Sequence, residues 1–154
     1  MKRLLSVIIL GVLVVVLDNC RPQPDPDPDP KEVALKKLSA TWKVNQVIFD
    51  AVVQSGYENF TLTIAGTPGA SSFGYTTSGR PSLSPWRSSG NWAFGTNISS
   101  DITRDPGTDL ELMMNYVINA EATQLELAFD YDLEANPGRV KDVHGTWVFK
   151  LTRQ

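Results

Sequence analysis

The chain reads as an all-β protein, a single antiparallel barrel of about eight strands behind a short N-terminal helix. Three observations carry that reading. From Trp42 onward, apolar residues recur at every second position in segment after segment, the pattern of strands with one buried and one wet face. Turn-forming clusters separate these segments at short intervals: Gln54-Ser55-Gly56, Asp105-Pro106-Gly107, Asn119-Ala120-Glu121 and Asn136-Pro137-Gly138. One helical pattern alone interrupts the run, at its very start. Alternation of this kind belongs to antiparallel sheets, and short strands at even spacing close into a small barrel or stack as a sandwich. A β-sandwich is the alternative; the lack of a cysteine pair tilts the reading to a barrel.

Ahead of the barrel, the sequence divides into a leader and a tether. Met1-Lys2-Arg3 is basic, and Leu4 to Leu17 carries no charge. Those fourteen residues would span about 21 Å as a helix, short of a hydrocarbon core of roughly 30 Å. Residues 1–19 therefore read as a secretory signal peptide. Leu17-Asp18-Asn19-Cys20 ends it and resembles a lipobox, with Asp18 and Asn19 where small residues are usual. On that resemblance Cys20, the sole cysteine, is the lipid-anchoring residue of a bacterial lipoprotein. Two or more acyl chains there would hold the protein stably on a membrane.

Residues 20–30 form the anchor and its spacer. Proline alternates with Gln or Asp from Pro22 to Pro30, which denies the backbone both the donors and the dihedrals of helix or sheet. An extended polyproline II rod follows, on the order of 30 Å long at about 3.1 Å per residue. Repulsion among Asp25, Asp27 and Asp29 keeps it straight. Acidic residues soon after a lipidated cysteine also resemble surface-export signals.

Residues 31–154 make one domain. Lys31 to Leu38 places Val33, Leu35 and Leu38 on one helical face, enough for one or two turns. Trp42, Val44, Gln46 and Ile48 then alternate with Lys43, Asn45, Val47 and Phe49. Further alternating sets are Phe60-Leu62-Ile64, Trp92-Phe94, Leu110 to Ile118, Leu125 to Tyr131, and Val143 to Leu151. Trp42 and Trp147 fall on the apolar parity of their strands and are expected in the core.

The even spacing breaks at Gly66 to Gly90, which holds five glycines, three prolines and seven serines, with room for one strand near Ser72 to Thr76. A loop of that length is commonly functional or disordered. Tyr75, Arg80, Trp86 and Arg87 stand in it and combine flat apolar faces with cationic donors, types favoured at recognition sites. They are the candidate ligand-binding residues, although Trp86, behind Pro85, could instead fold back to cap the barrel.

Catalytic and metal chemistry find little support. His144 is the only histidine, and by parity with Trp147 it faces solvent. No cysteine or second histidine completes a zinc set, and no G-x-S-x-G elbow or phosphate-binding glycine motif occurs. Asp130, Asp132 and Glu134 form D-x-D-x-E without the glycine or final glutamate of a calcium loop, and read as an acidic turn. No cofactor is implied. Without its first nineteen residues the chain carries 12 Lys and Arg against 16 Asp and Glu, a net charge of −4, which offers no footprint for nucleic acid.

Ala40-Thr41-Trp42 after a short helix resembles the opening of a lipocalin barrel, where a G-x-W motif begins the first strand and its Trp plugs one end. Gly90-Asn91-Trp92-Ala93-Phe94 and Gly145-Thr146-Trp147-Val148-Phe149 echo the pattern. The resemblance is to lipocalin-like lipoproteins of Gram-negative (Bacteroidetes-type) cell envelopes and covers about residues 32–154. It implies that a basic residue near the C-terminus, Arg153, packs over Trp42. It also implies a non-enzymatic outer-membrane lipoprotein, on the periplasmic or the cell-surface side, binding a small hydrophobic ligand or a protein partner. A barrel ligand would need an apolar cavity around Phe60, Leu112 and Leu127. The alternative is a surface accessory module that binds glycan, for which Tyr75 and Trp86 would stand exposed.

Overall fold

The computed structural model describes residues 27–132 and 143–154. Cys20, most of the tether, Glu134 and the Asn136-Pro137-Gly138 turn lie outside the described residues. The described chain is a closed barrel of eight antiparallel strands, and closure removes the free edges of a sandwich. In order, the elements are α1 (Pro30–Leu38), β1 (Ala40–Phe49), β2 (Val52–Val53), β3 (Thr61–Ala65), β4 (Phe73–Ser78), β5 (Ser89–Phe94), β6 (Asp101–Arg104), β7 (Leu112–Ile118), β8 (Gln124–Tyr131) and β9 (Gly145–Arg153). Each barrel strand pairs with its sequence neighbour, and β9 returns to pair with β1. The two-residue β2 adds a small hairpin to the end of β1.

Helix α1 starts where the tether chemistry requires it. The Asp29 carboxylate accepts from the Lys31 backbone N–H at 2.9 Å, and Pro30 takes the first helical position, where no donor is needed. Lys36 and Lys37 sit in the last turn, beside the negative end of the helix dipole. Leu35 and Leu38 are buried, but Val33 is exposed, so the apolar stripe is narrower than the sequence suggested. The helix closes one end of the barrel. The Trp42 indole donates to the Leu38 carbonyl at 2.9 Å, and Arg153 lies over the Trp42 ring at 5.2 Å while bonding the Lys37 carbonyl at 2.6 Å. The position expected for Arg153 is thus observed.

Strand β1 departs from its expected parity. Trp42 and Val44 point inward, but a bulge between Val44 and Gln46 leaves Asn45 as an extra residue. Beyond it Val47 is buried, while Gln46 and Ile48 face outward. One extra residue exchanges the two faces of everything after it.

The interior is packed. Tyr57, Phe60, Phe129, Trp147 and Phe149 form a connected aromatic cluster, with ring centroids 5.4–6.2 Å apart in edge-on, tilted and stacked pairs. Phe60, Leu112 and Leu127 belong to this core. The space left between Leu62, Tyr75, Trp86, Ile102, Arg104 and Leu127 is about 10 Å³, close to the volume accessible to a single water.

Candidate functional site

Opposite α1, the barrel is closed by the loop between β4 and β5, residues 79–88. Its geometry is set by two glycines. Gly79 has φ +63°, and a Cβ there would lie 2.0 Å from the Asn59 carbonyl oxygen; a Cβ on Gly90 would lie 2.2 Å from the Asp105 carboxylate. The chain therefore turns tightly out of β4 and returns close against β6. Between the two turns it drops Trp86 into the barrel, where only 1% of the residue is exposed. The indole meets Tyr75 at 5.5 Å, Phe149 at 5.9 Å, Phe129 at 6.0 Å and Phe60 at 6.3 Å.

Polar contacts hold this plug. Arg80 donates to the Trp86 carbonyl at 3.0 Å, and the Thr77 hydroxyl donates to the Arg87 carbonyl at 2.5 Å. Arg104, itself 1% exposed, reaches from β6 through the interior and donates to the Pro85 carbonyl at 3.0 Å. Its guanidinium lies 5.5 Å from the Trp86 ring and 5.9 Å from the Tyr131 ring, close enough for cation–π attraction.

A charge this deep needs a counter-charge. Asp105 supplies it, its Oδ2 being 3.6 Å from Arg104 Nε. The same carboxylate accepts from the Asn91 N–H at 2.9 Å and from the Tyr75 hydroxyl at 3.2 Å. Burial pushes the Tyr75 hydroxyl well above the ordinary tyrosine range; nearby Arg104 opposes the rise and Asp105 adds to it. The cluster is a latch that ties β4, β5, β6 and the plug loop together.

Of the four residues singled out from the sequence, then, two are interior. Tyr75 is an inward residue of β4, 3% exposed, and Trp86 is the plug. The exposed aromatic platform expected of a glycan-binding surface is not formed, because the barrel end offers an aromatic socket that water cannot match. Arg80 and Arg87 keep exposed side chains on the loop, beside Leu83. Arg104 and Asp105 are the pair that sequence reasoning missed; the available signal was the parity Arg104 shares with Ile102.

His144 is half-buried rather than solvated, its ring 5.9 Å from Tyr131. It precedes β9, so strand parity does not govern it. Asp130 accepts from the Thr146 hydroxyl at 2.6 Å. Among the described residues no group of three His, Cys, Asp or Glu side chains converges on a point.

The outer wall is a further candidate surface. Across β7, β8, β9 and β1 runs a groove of about 380 Å³ whose lining includes Val117, Gln124, Glu126, Lys150, Gln46 and Asn45. Met113 and Val117, each 68% exposed, stand on the β7 side. Val52 and Val53, 63% and 59% exposed, stand on β2 beyond β1. Compared with known proteins, the chain matches no family model and no curated sequence.

Proposed function

We propose that the chain is a non-enzymatic envelope lipoprotein that engages a protein partner with its outer wall, using the barrel as a solid scaffold. The observation behind this is the filled interior. Trp86 and the aromatic cluster around it occupy the volume in which a barrel of this size would otherwise hold a small ligand. Recognition then falls to the surface, where large apolar residues stand in water on β2 and β7. The attachment rests on the sequence: the apolar leader, Cys20 and the Asp-Pro spacer. The Arg153–Trp42 stack supports a lipocalin-like architecture, and the lipobox-like Leu17 to Cys20 with the acidic spacer supports an outer-membrane location.

The test is mass spectrometry of the organic extract from protein purified out of its native envelope. The proposal expects no small molecule at stoichiometric yield. One equivalent of a single lipid or other ligand per chain would replace it with a carrier function.

A further inference from the structure

The outer wall has an order that its register makes visible. On β7, β8, β9 and β1, Val117 pairs with Glu126, Glu126 with Lys150, and Lys150 with Gln46. Those four side chains form one transverse row. The next row toward the plug end is Asn115, Ala128, Val148, Ile48 and, on β2, Val53. One row therefore carries an acid beside a base, and the row next to it is apolar from β8 to β2.

These charges are not spent inside the molecule. Glu126 and Lys150 are direct register partners, yet among the described residues neither closes an ion pair. The apolar row is likewise uncovered: Ala128, Val148 and Ile48 are only half-buried, and Val53 is exposed. Outward β-branched residues in adjacent strands gain little from water and would gain from cover.

We propose that the cover is a second copy of this chain. A two-fold interface brings a patch onto itself, so the patch must be self-complementary. Consider an axis lying in the interface, parallel to the strands and midway between β8 and β9. It carries β8 onto β9 of the other copy and leaves each row facing the same row. Glu126 of each copy then meets Lys150 of the other, and Ala128 meets Val148. Val117 and Gln46 flank the charged pair as they face each other. Opposite charges meet at both symmetry-related points, and apolar surface meets apolar surface between and beside them. Contact centres on β8 and β9, and the pair belongs with the smaller, reversible interfaces. The inference rests on the outer wall being the recognition surface.

Charge reversal tests it, with light scattering on the full chain in mild detergent over a concentration series. The wild-type chain is expected to dimerise. Glu126→Lys alone sets lysine against lysine at both points, and Lys150→Glu alone sets glutamate against glutamate; each should weaken self-association by about tenfold or more. An equimolar mixture of the two variants should recover dimers, since each charge in one meets its opposite in the other. Recovery on mixing is something that misfolding or a purely internal ion pair could not produce. A monomeric wild type overturns the proposal, as do single variants that dimerise undiminished or a mixture that stays monomeric. Should the wild type be monomeric and also free of stoichiometric ligand, the self-pairing fails while the scaffold reading stands.

Discussion

At the scale of single residues, the molecule turns on Trp86 and Arg104. Trp86 fills the socket made by Phe60, Tyr75, Phe129 and Phe149. Trp86→Ala should lower unfolding free energy by about 3–5 kcal/mol in denaturant titrations, the cost of emptying a large aromatic site. A loss under about 1 kcal/mol would mean that the ring spends its time in solvent. Arg104→Ala would leave Asp105 buried beside Tyr75 without its cation, a change that costs about 3–5 kcal/mol when a buried pair loses one member. Arg80→Ala removes one exposed donor and should cost about 1 kcal/mol. Tyr75 adds a pH signature. Its proton is held more tightly in the folded than in the unfolded chain. Both states carry the proton below the ordinary tyrosine pKa of about 10, and above it the unfolded chain releases its proton first. Stability should therefore fall as pH rises past 10, and Tyr75→Phe should lessen that fall in urea titrations; identical slopes for the two proteins would contradict the assignment. The residue types in the loop were legible, but not their direction. A tryptophan suits a binding platform and a plug equally, and the choice is made by aromatic partners on β8, β9 and the approach to β3.

At the scale of elements, alternation exposed β3, β7, β8 and β9 because each is long enough to show its period and lies without interruption against the core. Strands β2 and β6 escaped notice because two and four residues are too few to establish a period. In β6 an inward arginine also replaces the apolar residue that parity would lead one to seek. The bulge at Asn45 inverted the second half of β1, and nothing in the local composition marks one extra residue. The plug loop is an element in its own right, with Gly79 as its hinge point. Gly79→Ala forces a side chain into a left-handed backbone conformation, worth about 1–2 kcal/mol, and into the Asn59 carbonyl. It should lower the melting temperature more than Gly69→Ala, where φ is also positive but nothing stands within 4 Å. Equal shifts would show that the close approach at Gly79 is relieved cheaply.

At the scale of the whole molecule, β1–β9 pairing closes the barrel, α1 seals one end and Trp86 the other. That plan fills the interior with side chains and leaves large apolar residues of β2 and β7 exposed on the outer wall. It also orients the domain: the chain enters at α1, so the plug loop, β2 and Leu83 lie at the opposite end of the barrel. If Cys20 carries the lipid, Cys20→Ser should move the protein from the membrane to the soluble fraction after carbonate washing, and retention on the membrane would rule the anchor out. The barrel class was legible because it depends on the number and period of strands. Whether it is hollow was not, since that depends on where one loop tryptophan comes to rest. A crystal structure under xenon pressure examines this directly, because xenon enters dry apolar cavities. The filled barrel predicts no xenon among Leu62, Ile102, Met114 and Leu127, with Trp86 in place; an ordered xenon atom bounded by those side chains would show a hollow barrel and contradict the account.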